Sequence, residues 1–283
     1  MELIIVTGLS GSGKSIALRV LEDSGYYCID NLPATLLPQI SHHLDATNQH
    51  KVAISIDSRS AALEALPNAI EMLKSSGILV KVLFLESSVE TLVKRFSETR
   101  RKHPLSNADT TLAESISHER ELLASITDLG HHIDTSNLSA NTLRNYIREL
   151  ISQPSTSQSN QGLILLFTSF GFKNGLPLDA DFVFDVRSLP NPHYDPVLRP
   201  LTGKDSAVKA FLEKEPQVIE MLSDIQHYVE KWLPSFNQDN RNYLTVAIGC
   251  TGGQHRSVYF VEQLSAYFKQ QKQHVIIRHR ELD

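Results

Sequence analysis

A short apolar run, Leu3-Ile4-Ile5-Val6, gives way to Gly8-Leu-Ser-Gly-Ser-Gly-Lys-Ser15, and no other stretch limits the fold so tightly. These eight residues satisfy G-x-x-x-x-G-K-[ST] at every fixed position, a pattern that calls for a buried strand, a tight loop and a helix in that order. The helix signal follows at once, with Ile16, Leu18, Val20 and Leu21 at amphipathic spacing. Gly8, Gly11 and Gly13 let the backbone turn and aim its N–H groups at a phosphate, and the helix opening near Lys14 adds the positive end of its dipole. Gly8, Leu9, Ser10, Gly11, Ser12, Gly13, Lys14 and Ser15 are therefore the expected ATP-binding residues. Lys14 should bridge the β- and γ-phosphates, and the Ser15 hydroxyl should ligate Mg²⁺. A plain glycine-rich turn would need neither a lysine nor a hydroxyl in these registers.

At 283 residues the chain exceeds one small domain, and its length allows two cores. Residues 152–161, Ser-Gln-Pro-Ser-Thr-Ser-Gln-Ser-Asn-Gln, hold no apolar side chain and read as a linker between a domain over 1–151 and another over 162–283. Before the linker, strand patterns at 3–7, 26–29, 52–56 and 79–85 alternate with helical ones at 14–23, 60–75 and 88–102. After it, strands are expected at 163–168, 181–185, 244–249 and 274–278, with helices near 206–214, 215–231 and 256–271. The fold class is thus α/β: an N-terminal P-loop kinase-like domain with a parallel sheet, and a second α/β domain.

A hydrophobic fraction of 41% and a charged fraction of 21% suit a globular chain, and no apolar run reaches the ~20 residues that span a bilayer. No membrane association is expected. The first residues lack the basic start of a signal peptide and only two cysteines occur, which points to a cytoplasmic location. A net charge of -5 argues against non-specific nucleic-acid binding by the whole surface.

Val52-Ala-Ile-Ser-Ile-Asp57 is an apolar strand ending in a carboxylate, so Asp57 is either a second ligand for the Mg²⁺ or the cap of a following helix. Asp30 ends another strand and could orient a nucleophile or a water. Arg95, Arg100 and Arg101 read either as a forked clamp on phosphate oxygens, like the lid of a small-molecule kinase, or as a solvated basic face.

In the second half, Leu244-Thr-Val-Ala-Ile-Gly249 leads into Cys250-Thr-Gly-Gly-Gln-His-Arg-Ser257, a C-x₅-R loop followed by a hydroxyl. Gly252 and Gly253 permit close backbone approach to a tetrahedral anion, and Arg256 can grip two oxygens. Three readings stay open: a phosphate-ligand site, a cysteine phosphatase with Cys250 as nucleophile and Asp185 or Asp195 as acid, or a tight structural turn. His193 and His255 are candidate ligand contacts. From His255 to Arg280 the chain carries Arg256, Lys269, Lys272, Arg278 and Arg280 against the single acid Glu262, which fits either a phosphate-backbone surface or a solvated helix face.

The chain resembles the RapZ family over its whole length. The resemblance rests on the P-loop with Tyr27-Cys-Ile-Asp-Asn-Leu-Pro33, Arg100-Arg-Lys-His-Pro-Leu105, Ser169-Phe-Gly-Phe-Lys173, Phe184-Asp-Val-Arg187, Leu189-Pro-Asn-Pro-His193 and Ala247-Ile-Gly-Cys-Thr-Gly-Gly253 with His255-Arg-Ser257. It implies an RNase adapter that binds small regulatory RNA and presents it to RNase E, adjusting synthesis of glucosamine-6-phosphate synthase. It also implies ATP or GTP binding with Mg²⁺, weak hydrolysis, a GTP signature on Asp57, Ser58, Arg59 and Ser60, and a homo-oligomer, with a tetramer presenting several basic patches to one RNA. The loop of Cys250, Thr251, Gly252, Gly253, His255, Arg256 and Ser257 would then sense glucosamine-6-phosphate, with Asp185, Arg187 and His193 beside it. The RNA contacts are then expected where the basic excess lies, on Lys269, Lys272, Arg278 and Arg280. A small-molecule kinase is the alternative.

Overall fold

A computed structural model describes residues 1–39, 49–60, 62–107, 109–152, 163–238 and 243–282. The chain divides into two compact units, residues 1–155 and 156–283. Of the expected linker, residues 153–161 lie outside the described residues.

The first unit is built on a five-stranded sheet in the order β2-β3-β1-β4-β5. Its strands are β1 (Glu2–Gly8), β2 (Tyr27–Ile29), β3 (Lys51–Ser55), β4 (Leu79–Glu86) and β5 (His131–Asp134), and all four pairings are parallel. β1 pairs with β3 through Ile5↔Ile54 and with β4 through Ile5↔Val82. That central place explains its apolar run, because a parallel strand covered on both faces must be apolar throughout. Leu3, Ile4, Ile5 and Val6 are almost wholly buried, each contributing roughly 1.5–3 kcal/mol relative to exposure. The chain leaves β1 toward β2 on one side and later returns to β4 on the other, so the carboxyl end of β1 is the topological switch point where α/β sheets bind ligands.

The helices of this unit are α1 (Lys14–Asp23), α2 (Leu66–Ser75), α3 (Val89–Thr99), α4 (Leu112–Leu123) and α5 (Ala140–Ser152). The helix expected over 60–75 starts late: Ala62 adopts a left-handed φ of 58°, a 3₁₀ turn covers Leu63–Ala65, and the proline at the first turn of α2 sets the true start. α3 stops at Thr99 because Arg100 takes φ 53°.

The second unit has a four-stranded sheet in the order β7-β8-β6-β9, again parallel at every pairing. The strands are β6 (Ile164–Gly171), β7 (Phe182–Asp185), β8 (Tyr243–Cys250) and β9 (His274–His279). Helices α6 (Ser206–Leu212), α7 (Pro216–Gln238) and α8 (Arg256–Gln270) accompany it, α7 running past the expected end at 231 and through Pro234. Phe167, Leu244, Val246, Ile248, Phe260 and Phe268 fill the core. Every residue of β8 is buried, and the strand delivers Cys250 at its carboxyl end. Among the described residues no helix is long and apolar enough to cross a membrane.

Candidate functional site

At the end of β1, Gly8 has φ 122°, and a Cβ there would stand 1.9 Å from the Leu85 carbonyl oxygen of β4. The loop can pass so close to its neighbouring strand only as glycine. The Leu9 N–H donates to that same carbonyl at 3.0 Å. Gly13, at φ 108°, caps α1 without a side-chain acceptor, so the first N–H groups of the helix are left for an anion. Lys14 curls back over the loop, donating from Nζ to the Gly8 carbonyl at 2.6 Å and the Leu9 carbonyl at 3.0 Å. Burial lowers its pKa, against the pull of Glu119, Asp57 and Asp30, while Arg59 adds to the lowering. Ser15 is exposed on the first turn of α1, and the fully buried Ser12 hydroxyl has no partner among the described residues. These features fit a triphosphate, with Ser15 open to a Mg²⁺ ion.

Arg95 on α3 closes one side. Its Nη1 donates to the Gly11 carbonyl at 3.1 Å and to Thr135 Oγ1 at 3.0 Å, and its Nη2 to the Thr135 carbonyl at 2.6 Å. A cavity of about 140 Å³ opens between Arg95, the Gly11–Gly13 turn, Ile16 and the start of α5 at Leu138–Leu143. The expected three-arginine clamp is not assembled: Arg95 is bonded into the loop, whereas Arg100 and Arg101 are exposed beyond the end of α3.

The 57–60 segment is a tied loop. Asp57 accepts from the Arg59 backbone N–H at 3.0 Å and from its Nε at 2.9 Å, and Asn31, with its amide oriented for both, donates to Asp57 at 2.6 Å and accepts from Arg59. Arg59 would have to release Asp57 before this carboxylate reached a metal. Ser58 donates to Glu119 at 2.6 Å, and Ser60 accepts from the Ala34 N–H at 2.7 Å. Asp30 is exposed at the end of β2.

Glu119, on α4, is the residue that sequence reasoning missed. It is fully buried beside the P-loop and accepts from the Ser10 N–H at 2.9 Å, the Ser10 hydroxyl at 2.7 Å, Ser58 and His103 Nε2 at 3.0 Å. Burial opposes its charge, and the bonds from His103, Ser58 and Ser10 overcome that, holding its pKa down to about 2.

In the second unit, the Cys250 thiol is buried at the base of the C-x₅-R loop, receiving the Gly253 N–H at 3.2 Å with Ser257 Oγ at 3.2 Å. Arg256 is buried too. Its Nη1 donates to the Arg187 and Leu189 carbonyls, both at 2.7 Å, and its Nη2 to Thr251 Oγ1 at 3.4 Å, so it braces the 187–189 turn against the loop. Asp185 is chelated by the backbone N–H, Nε and Nη2 of Arg187, which keeps its pKa below the usual range. Arg187 in turn lies 3.9 Å over the Phe172 ring. Asp195 Oδ1 accepts from the Val197 N–H at 2.8 Å. Asp185 is held in its charged form by Arg187, which weakens its candidacy as the acid of a phosphatase. His193 is exposed, 6.2 Å between ring centres from His255, and His255 is buried against the Leu198 carbonyl with its pKa lowered by burial. Thr251 and Gly252 remain open at the mouth, where Lys173 Nζ comes within 4.0 Å of a Cβ built on Gly252. Lys173 is a cation at this loop that the sequence reading did not assign.

Family models match both halves of the chain: a RapZ-like N-terminal domain over residues 1–155 and a RapZ C-terminal domain over 163–283. The chain belongs to the RapZ family. A relative from Methylobacillus flagellatus, described as a nucleotide-binding protein, is 65% identical over 283 residues, covering 100% of this chain and 99% of its own. A nucleotide-binding protein from Chromobacterium violaceum is 56% identical over the same span, again 100% and 99%. A shikimate kinase from Acinetobacter baumannii, solved with shikimate, is similar in structure at TM-score 0.38 and 21% identity, covering 56% of this chain and 95% of that one.

Two of the four residues that the C-terminal excess of basic side chains assigned to RNA need correction. Arg278 is buried and pairs with buried Asp179 at 3.3 Å, and Arg280 is buried with Nη1 donating to the Gly175 carbonyl at 3.1 Å. Arg278 lies near the carboxyl end of β9 and Arg280 just beyond it, and the charge of each is spent on the protein. Lys269 and Lys272 are exposed at the end of α8 and the turn after it. Glu281 packs against the anion loop, its Oε2 2.2 Å from where a Gly253 Cβ would lie and its Oε1 accepting from Asn174 at 3.1 Å.

Proposed function

We propose that the protein is a nucleotide-responsive RNA adapter. It binds ATP or GTP with Mg²⁺ at the P-loop, hydrolyses it weakly, and presents small regulatory RNA to RNase E in response to glucosamine-6-phosphate, tuning synthesis of glucosamine-6-phosphate synthase. The observation that carries the nucleotide part is the loop itself: Lys14 folded over Gly8 and Leu9, an uncapped helix start and an exposed Ser15. Relatives that span the whole chain are also described as nucleotide-binding proteins. The cavity between Arg95 and α5 gives room for part of the nucleotide beside the loop. For the metabolite, the reading rests on open Thr251 and Gly252 with Lys173, Arg187 and His193 around them, while Arg256 acts from beneath. A cytoplasmic homo-oligomer, a tetramer, belongs to the same reading.

Lys14→Ala should weaken Mg-nucleotide binding at least about tenfold in a folded protein, since a charge-assisted bond to phosphate is worth ~1.5–3 kcal/mol. Unchanged affinity for both ATP and GTP would overturn the nucleotide reading. A kinase acting on a small acceptor is the second reading, favoured by Asp30 and Asp57 both lying near enough to act on the Lys14 charge. Nucleotide turnover that rises steeply only with a small-molecule acceptor, and not with RNA, would select it.

A further inference from the structure

Four donors from three separate segments converge on the buried Glu119 carboxylate: both donors of Ser10 in the P-loop, the Ser58 hydroxyl of the loop after β3, and His103 beyond α3. The His103 ring fixes the sense of the last bond. Its Nδ1 accepts from the Leu105 N–H at 3.2 Å, so the ring proton sits on Nε2 and is donated to Glu119. The imidazole is then neutral and Glu119 is a pure acceptor, an ionised carboxylate with every bond made to the machinery around the phosphate loop.

We propose that Glu119 is the positioning residue of the phosphate site: one buried anion that holds the P-loop, the 57–60 loop and the 103–105 segment in a single arrangement and faces Lys14 with a fixed negative charge. The inference rests on the nucleotide reading above. It assigns Glu119 no contact with the ligand, because Glu119 acts through Ser10 and through the field at Lys14. Ser10 follows the Gly8 and Leu9 carbonyls that receive Lys14, so the bond that anchors Ser10 also sets the seat of the ammonium. The charged groups facing that ammonium are Glu119, Asp57 and Asp30, which favour its protonated form, and Arg59, which opposes it.

The test measures Mg-ATP and Mg-GTP affinity of the full chain by calorimetry, with thermal transitions beside it, for the parent, Glu119→Gln, Glu119→Asp and Ser58→Ala. Glu119→Gln should bind about tenfold more weakly while unfolding at the parental temperature. Glu119→Asp keeps the charge but shortens the reach, so it should recover part of that loss, and Ser58→Ala should lose affinity to a smaller extent than Glu119→Gln. A folded Glu119→Gln protein, judged by a parental thermal transition, that matches the parent in affinity would overturn the inference while leaving the nucleotide reading intact. Should Glu119→Gln fail to fold, folded Glu119→Asp and Ser58→Ala proteins with parental affinity would overturn it equally. A parent that binds neither nucleotide would bring down both.

Discussion

The two loops that end β1 and β8 share a plan, since each follows a buried parallel strand, turns on glycine and enters a helix, yet their cations do opposite things. Among the described residues Lys14 donates to two carbonyls of its own loop, and a cavity opens beside the Gly11–Gly13 turn. Arg256 is clamped beneath its loop by Arg187, Leu189 and Thr251, and the thiol at the centre is already met by Gly253 and Ser257. A pattern of glycine, cation and hydroxyl therefore specifies backbone shape, while the free donors are decided by the elements packed behind it. In the first loop those free donors are the helix N–H groups and Ser15; in the second they are supplied at the rim, by Thr251, Lys173 and His193.

The sharpest way to break the comparison is to add one methyl to each loop. Gly8→Ala places a Cβ against the Leu85 carbonyl at φ 122°, and it should destabilise the first unit by about 4 kcal/mol or more, seen as loss of its unfolding transition. Gly252→Ala meets nothing nearer than Lys173 Nζ at 4.0 Å and should stay within about 1 kcal/mol of the parent. Equal effects would mean that the second loop is as tightly packed as the first.

A somewhat smaller effect separates the two cations. Arg256→Ala strips the Arg187 and Leu189 carbonyls of a buried donor and should cost about 2–4 kcal/mol in denaturant unfolding of the second unit. Arg256→Lys should not restore it, because a point charge cannot span both carbonyls and Thr251. Lys14→Ala should leave stability nearly unchanged and register in nucleotide affinity alone. An Arg256→Ala protein of parental stability would show that this arginine is as free for ligand as Lys14.

Much of this was legible in the sequence because it was written in backbone chemistry. Apolar runs marked β1, β3, β4, β6 and β8, and the P-loop marked the site. What escaped was written in buried polar residues. β5 is four residues long and half histidine, His131-His132-Ile133-Asp134, so it carried no apolar signal. α4 buries Ser115, Ile116, Glu119 and Leu123, and its two polar members break the helical stripe. The capping box of Thr111 and Glu114 was the available clue to that helix, and through it to Glu119. Arg278 and Arg280 failed in the converse way. A count of charges cannot tell a cation in solvent from one that has found Asp179 or a carbonyl inside.

The smallest expected effect carries that last distinction to RNA. Lys269 and Lys272 are exposed and Arg278 is paired inside, so a polyanion should feel the lysines and the fold should feel the arginine. Each phosphate contact releases condensed counterions and adds ~0.7–0.9 to the log–log salt slope, so a Lys269→Ala/Lys272→Ala protein should keep parental stability and lose about 1.4–1.8 from that slope in a filter-binding titration with structured RNA. Arg278→Ala should behave in reverse: it leaves Asp179 buried without its ion pair, which costs about 3–5 kcal/mol, and any loss of RNA binding should follow the loss of folded protein. If the double lysine variant kept the full slope, the phosphate surface would lie elsewhere in the chain, and the exposed run of Arg100, Arg101 and Lys102 would be the next to neutralise.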